Sequence, residues 1–498
     1  MTGRPRNLGD ILGARRSSDE VAIVSLDAHA NTGGAPREWR AREIEQGSLA
    51  YGEAVRRRGL PTGSAVGIFA QNSVPNLMAY LGILRAGYVC VPVNIRQPAP
   101  IVRYVCEDAD MRFAFADEAG AALVPETVEH ANLTPVPDRV PGPRAGFPGV
   151  GEEYTALRRY TSGSPRRPQR GGRSQLTPDA LIDAVTAGPD SGLFDGQRGI
   201  VAAPMFHMNA QVFLASFLAG GGSVVLMSRF DAALFAEAIP AYGVNVLTGV
   251  PTMIALLHSA WQDLGRPDLG SIRNVYIGSA PVTEAIIAQS REMMPNARVL
   301  NSYGTTESGG GLFGPHPDGI ARPPTSVGYP TPLVDVRLDE DGALLVRAPS
   351  MMTGYLNLPE LTAQRLKEGW YNTGDLFERD ADGFYFFRGR ADDMFVCSGE
   401  NVYPGEVEQA VESHPGVLQA AVVPVADARR GQMPVAFVVP AADAVEAGEI
   451  QDHVKTQIAP YLYPRRVWPL DALPLASTTK VDRRELMRRA EAFMDAER

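Results

Sequence analysis

Short β-branched runs separated by stretches of helical periodicity recur through most of the first 390 residues, and this alternation restricts the fold more than any other feature. Ala65-Val66-Gly67-Ile68-Phe69-Ala70 reads as a buried strand. Residues 75–85 carry apolar side chains at helical spacing, and Tyr88-Val89-Cys90-Val91-Pro92-Val93 is the next strand. The pattern returns at residues 199–203, 223–227, 244–247 and 275–277. Strands joined through a helix lie parallel, because a hairpin cannot connect parallel neighbours. Parallel sheets in turn need helices over their faces. The expectation is an α/β chain whose large N-terminal domain, residues 1–391, consists of helix-covered, mostly parallel sheets.

With 498 residues the chain is too long for one compact core. Its last hundred residues are more charged and hold their own strands (419–424, 434–439) and helices (405–413, 482–497). They predict a small C-terminal α+β domain, residues 392–498. No internal repeat is visible. Residues 135–173 are rich in Pro, Gly and Arg with little apolar periodicity, which marks a long functional or unstructured loop.

Composition narrows the function classes. A formal net charge of −10 argues against nucleic acid or an anionic membrane as partner. Cys90, Cys106 and Cys397 are odd in number and have no metal-ligand spacing, which predicts a reducing, cytoplasmic setting. The first residues lead into no signal-peptide core, and the best apolar stretch, 77–84, is far shorter than a membrane span. A soluble enzyme acting on small molecules is expected, as a monomer or homodimer.

Four stretches carry chemistry. Asn301-Ser302-Tyr303-Gly304-Thr305-Thr306-Glu307 follows an apolar run and gathers an aromatic ring, hydroxyls and a carboxylate in one turn. A ring can stack on a purine, hydroxyls can bond phosphate oxygens, and a carboxylate can hold a Mg²⁺ that bridges them. Tyr160-Thr161-Ser162-Gly163-Ser164-Pro165-Arg166-Arg167-Pro168-Gln169-Arg170-Gly171 is a basic loop whose hydroxyls and backbone N–H groups can wrap phosphates. Standing alone it would read as solvated surface. Tyr371-Asn372-Thr373-Gly374-Asp375 offers a carboxylate suited to vicinal hydroxyls, although Asp after Gly is also a common turn residue. Ser477-Thr478-Thr479-Lys480-Val481-Asp482 presents one lysine before a predicted helix.

In series, and with Gly389-Arg390-x-Asp392-Asp393 and Gly399-Glu400-Asn401-Val402-Tyr403-Pro404, these stretches resemble the adenylate-forming superfamily. That group comprises acyl-CoA synthetases, peptide-synthetase adenylation domains and luciferases, and the resemblance runs from about residue 50 to the C-terminus. It implies ATP and Mg²⁺ as cofactors. Thr161, Ser162, Gly163 and Ser164 would cradle phosphates. Tyr303 would stack on adenine within the Gly304-Thr305 turn, with Gly278, Ser279 and Ala280 along the other edge. Thr306 would bond the α-phosphate, Glu307 would hold Mg²⁺, and Asp375 and Arg390 would bind the ribose. Lys480 would stabilise the transition state as a carboxylate displaces pyrophosphate. Asp392 matches the family's hinge, so the small domain is expected to be mobile and to swing between adenylation and acyl transfer. Gly399 would leave the thiol arm a path. The phosphate loop departs from the family pattern: Arg166 and Arg170 stand where glycines are common, and Gln169 replaces a lysine.

His207, in Pro204-Met205-Phe206-His207-Met208-Asn209, matches the pocket-facing turn of aryl- and acyl-activating members. Met208 stands where amino-acid-activating relatives usually carry an aspartate, which disfavours an α-amino acid. Thr248, Gly249, Ser302, Gly309, Gly310 and Gly311 are small, so the slot is expected to take an aromatic or polycyclic acid. CoA is the expected acceptor and an amine the alternative, which would make the chain an amide bond synthetase. A luciferase-like oxygenase or a non-catalytic binder of acyl-adenylates ranks lower. No carrier-protein attachment motif occurs near either end.

Overall fold

The computed structural model describes residues 8–26, 35–134, 136, 154–160, 173–177, 180–181, 183, 194–427, 429–441, 445–459, 462–476 and 481–496. The expected alternation builds two seven-stranded sheets. In the first, the strands Leu157–Tyr160, Val89–Pro92, Ala65–Phe69, Met111–Ala116 and Glu129–Asn132 run parallel in that order. Arg173–Leu176 and Gly354–Tyr355 extend one edge antiparallel. In the second, Arg298–Ser302, Asn274–Gly278, Val246–Gly249, Arg198–Val201, Ser223–Leu226 and Val21–Ser25 are parallel, and Arg37–Arg40 closes the far edge antiparallel.

Helices between the two sheets serve both. The helix predicted at 75–85 forms as Val74–Arg85, started by Ser73, whose hydroxyl accepts from the Asn76 N–H. Eleven of its twelve residues are buried, which explains why its sequence is apolar on nearly every side. One core joins Ile68 and Phe113 of the first sheet with Ile23 and Val224 of the second, through Leu77, Met78, Leu84, Leu214 and Phe217. The helix Ala41–Arg56 packs on Val74–Arg85 at glycine-mediated contacts: a Cβ on Gly82 would lie 2.4 Å from the Ser48 carbonyl oxygen. Beside that crossing Arg85 forms a bidentate pair with Glu45, at 2.9 and 2.8 Å, and both side chains are buried.

The alternation does not extend to residue 390. Residues 335–390 instead form a five-stranded antiparallel sheet of Asp335–Leu338, Ala343–Arg347, Trp370–Arg379, Leu366–Lys367 and Tyr385–Arg390. Its first hairpin turns through Gly342 at φ +82°, a conformation that glycine adopts without a Cβ clash.

The small C-terminal domain is α+β as expected. A long hairpin of Val417–Asp427 and Gly431–Pro440 carries Phe395–Cys397 and Glu400–Val402 on one side and Val467–Pro469 on the other. Helices Pro404–Glu412 and Ala447–Gln457 cover one face and Arg483–Ala496 the other. Among the described residues no helix is long and apolar enough to cross a membrane.

Two stability tests follow. Glu45→Ala removes the bidentate partner of the buried Arg85 guanidinium and leaves it, as carboxylate partner, only the half-exposed Asp10 at 3.3 Å, so unfolding free energy should fall in urea titration, by at most about 3–5 kcal/mol. The second concerns Glu412, which accepts from the Ala420 N–H at 2.8 Å and from Thr283 of the large domain. Burial pushes its carboxyl up from 4.5 to about 8. The folded state therefore holds an extra proton between those values, and the associated stability is lost as pH rises through 8. The melting temperature should drop from pH 5 to pH 8 and Glu412→Gln should flatten that drop; an equal slope in both proteins would refute the assignment.

Candidate active site

Four adjacent parallel strands of the second sheet end at one level, and the predicted site residues cluster there. Gly278 pairs with Ser302 and Gly249 with Ile277, so the ends of Val246–Gly249, Asn274–Gly278 and Arg298–Ser302 lie side by side. The fourth strand, Arg198–Val201, leads into Pro204-Met205-Phe206-His207. Ligands of open α/β sheets bind at such carboxyl ends. Thr248, Gly249, Gly278, Ser279, Ala280, Ser302 and His207 are thus gathered from a span of nearly one hundred residues. A Cβ on Gly278 would come 2.6 Å from the Ser302 carbonyl oxygen, so only glycine allows this approach. Ser279 is exposed at φ +67°, a strained conformation for a residue with a side chain.

Tyr303 connects this rim to the antiparallel sheet. Its hydroxyl donates to Asp375 Oδ2 at 2.6 Å, and its ring packs edge-to-face on Phe377 at 4.8 Å. Burial, reinforced by the Asp375 charge, holds the phenol well above its usual pKa, so it remains a neutral donor. Asp375 and Arg390 are cross-strand partners, with Arg390 Nε 3.6 Å from Asp375 Oδ1. The Asp375 backbone N–H donates to Thr373 Oγ1, and Gly374 turns at φ +71° beside the Arg365 guanidinium.

The Thr305–Glu307 turn is closed from within. Thr305 N–H donates to Ser308 Oγ at 3.0 Å and Ser308 N–H to Thr305 Oγ1 at 3.1 Å. The Thr305 hydroxyl, expected among the nucleotide-binding groups, thus also shapes the turn. Thr306 is half-buried beside it. The Glu307 carbonyl accepts from Met352 N–H at 2.7 Å, and its Oε1 accepts from the Tyr355 hydroxyl at 3.3 Å. Burial raises the Glu307 pKa, opposed by its hydrogen bonds and the Arg390 charge. A cation at this carboxylate would offset that desolvation, and the carboxylate and hydroxyl oxygens suit a hard ion such as Mg²⁺.

The pocket reading needs one correction. Gly309 does not open volume: a Cβ there would lie 2.7 Å from Ser350, and the residue is buried at φ +76°. Ser350 is fixed by its own hydrogen bond to the Ser308 carbonyl, so Gly309 is small because the chain behind it is close. Gly310, in contrast, faces open space, and a methyl on Gly249 would make only ordinary contacts at 3.7–3.8 Å. Thr248 is buried and donates to Asn209 Oδ1 at 3.3 Å, tying its strand to the helix Met208–Ala219. His207 occupies the N-cap position of that helix, half-buried, with its ring 4.6 Å from Phe206.

Asp392 is exposed in the short turn Ala391–Asp393 and pairs with Arg365 at 3.3 Å. Gly399 sits at a hairpin tip with φ +89°, next to Ser398 at φ +56°, so the turn itself demands a glycine-like residue. Thr161, Ser162, Gly163, Ser164 and Lys480 lie outside the described residues. Sequence reasoning missed Tyr355 and Arg365, and gave Tyr371 no role although it opens the Tyr371–Asp375 stretch. Tyr355 and Tyr371 share a small apolar cluster with Met352 beneath Glu307, and no motif marks Tyr355.

Comparison with known proteins agrees with this geometry. The profile described as AMP-binding enzyme matches residues 13–356, and that of the AMP-binding enzyme C-terminal domain matches residues 406–480. A feruloyl-CoA synthase of Amycolatopsis sp is 32% identical over 476 residues, which span 90% of this chain and 93% of that protein. The solved anthranilate CoA ligase AuaEII, in complex with anthranoyl-AMP, superposes with a TM-score of 0.84 at 22% identity, covering 97% of both chains. The amide bond synthetase McbA from Marinactinospora thermotolerans superposes at 0.81 with 25% identity, covering 97% of this chain and 98% of that one. With both domains matched in order and the expected rim assembled at the strand ends, the chain belongs to the AMP-binding enzyme family, the adenylate-forming superfamily of the sequence reading, and is an ATP-dependent, AMP-forming ligase.

Proposed function

We propose that the chain activates an aromatic carboxylic acid with ATP to an acyl-adenylate and passes the acyl group to the thiol of coenzyme A. The observation that carries this reading is the convergence of Tyr303, Asp375 and Arg390 beside Glu307 at the strand ends, on the same rim of the second sheet as the His207 turn. In this reading the Tyr303 ring, pinned by Asp375 and by Phe377, offers a fixed face to adenine. Asp375 and Arg390 take the ribose hydroxyls. Mg²⁺ held at Glu307 would neutralise phosphate charge. The substrate carboxylate attacks the α-phosphorus, pyrophosphate leaves, and Lys480 stabilises the charge that builds up between them. Rotation about Asp392 then exchanges the faces of the small domain for acyl transfer.

The relatives support an aromatic acid and CoA, since a feruloyl-CoA synthase and an anthranilate CoA ligase are among them. The open side of Gly310 and the exposed Ser302 suit a planar ring. An amine acceptor is the second reading, favoured by the likeness to an amide bond synthetase.

The deciding experiment incubates the chain with ATP, Mg²⁺ and benzoic, anthranilic or ferulic acid, with CoA or a small amine, and identifies products by mass spectrometry. Pyrophosphate release with acyl-CoA formation is expected. Amide formation with no thioester would move the assignment to the second reading, and no pyrophosphate release with any acid would remove the aromatic assignment. Lys480→Ala tests the transition-state role. Pyrophosphate release should fall by about 10²–10³-fold, the scale of losing one such contact, while acyl transfer from a supplied acyl-adenylate persists. Equal loss of both half-reactions would contradict the domain-rotation reading.

A further inference from the structure

The turn that delivers His207 is gripped by a buried polar chain that the nucleotide-binding reading does not use. Asn72, 3% exposed, lies just past the strand Ala65–Phe69 of the first sheet. Its Oδ1 accepts from Met205 N–H at 2.7 Å, and its Nδ2 donates to the carbonyls of Ala203 and Met227 at 2.9 and 3.1 Å. From the opposite side Gln211, in the first turn of the helix Met208–Ala219, donates through Nε2 to the Met205 carbonyl at 2.8 Å. The Gln211 Oε1 accepts in turn from Arg159 Nε at 2.9 Å.

Arg159 is the unusual member of this chain. It belongs to the strand Leu157–Tyr160, is 4% exposed, and makes no ion pair with a carboxylate among the described residues. The titratable groups that face its charge are Tyr80 and Cys90, both kept neutral by burial. A guanidinium held this way is costly, and an apolar side chain of similar size would pack the same space at lower cost. Its location offers a reason to keep it. Its hydrogen bond leads through Gln211 to the backbone of Met205, two residues before His207.

We infer that Arg159, Gln211 and Asn72 are positioning residues for the acid site, fixing the Met205–His207 turn against the strands Leu157–Tyr160 and Ala65–Phe69 of the first sheet. The inference rests on the reading of His207 as a wall of the acid pocket.

Gln211→Glu separates this role from simple packing. A carboxylate still accepts from Arg159, now with charge assistance, but when ionised cannot donate to the Met205 carbonyl. The probe is whichever acid of the panel above gives the fastest pyrophosphate release. KM for that acid should rise about tenfold, with KM for ATP within about twofold and no loss of melting temperature. Arg159→Met should raise acid KM similarly, through loss of acid affinity. Arg159→Lys, which keeps charge and donor, should restore most of it. Parental acid KM in Gln211→Glu, even with Arg159→Met unfolded or less stable, would overturn the inference and leave these residues as core. His207→Ala is the control. An unchanged acid KM there would overturn the pocket reading itself, whereas a raised KM there beside a parental Gln211→Glu would overturn only the positioning role.

Discussion

Everything at the candidate site depends on parallel strands ending at the same level. A parallel ladder offsets neighbours regularly, so the register Gly278 opposite Ser302 fixes where three loops emerge. That register tolerates no side chain at Gly278, whose missing Cβ lets the Ser302 carbonyl come close. The antiparallel sheet then supplies the opposing wall, and the hydrogen bond from Tyr303 to Asp375 joins the two. Function in this fold is therefore set by register more than by any single reactive group.

The chemistry of the rim follows from burial. Tyr303 is neutral because it is enclosed and faces a carboxylate, which makes it a donor to Asp375 instead of a competitor for charge. Glu307 is enclosed too, and its raised pKa expresses a carboxylate that lacks enough local positive charge. Tyr355 beneath it offers one hydrogen bond, and Arg390 offers charge from a distance. A site arranged this way is completed by its ligands.

Much of this was readable in the sequence where a local signal coincided with the tertiary demand. The helix read at 75–85 from its apolar spacing forms as Val74–Arg85, and the strand beginning near residue 65 needed only its β-branched run to be recognised. The antiparallel sheet at 335–390 was not foreseen: Leu366–Lys367 has only two residues, and the ten-residue strand Trp370–Arg379 is broken by Gly374 at positive φ, which reads as a turn signal. Tyr355 carries no spacing signal: packing around Met352 brings it together with Tyr371 and within hydrogen-bond reach of Glu307. Arg158 and Arg159 are indistinguishable on paper. Strand alternation sends one to the Ala109 carbonyl and the other into the core, and a shift of one residue would exchange them.

Gly309 shows what such packing means for diversification. Its lack of a side chain answers to Ser350 behind it and to its own backbone conformation, so any replacement disturbs the turn before it reaches a substrate. Thr248 is similarly committed to Asn209. Gly310, with free space before it, can accept new side chains without such a penalty. Across related enzymes, or in a library built on this scaffold, inherited variation should thus concentrate at Gly310 while Gly309 stays invariant, and evolution of a new specificity would pass through the one neighbour and not the other.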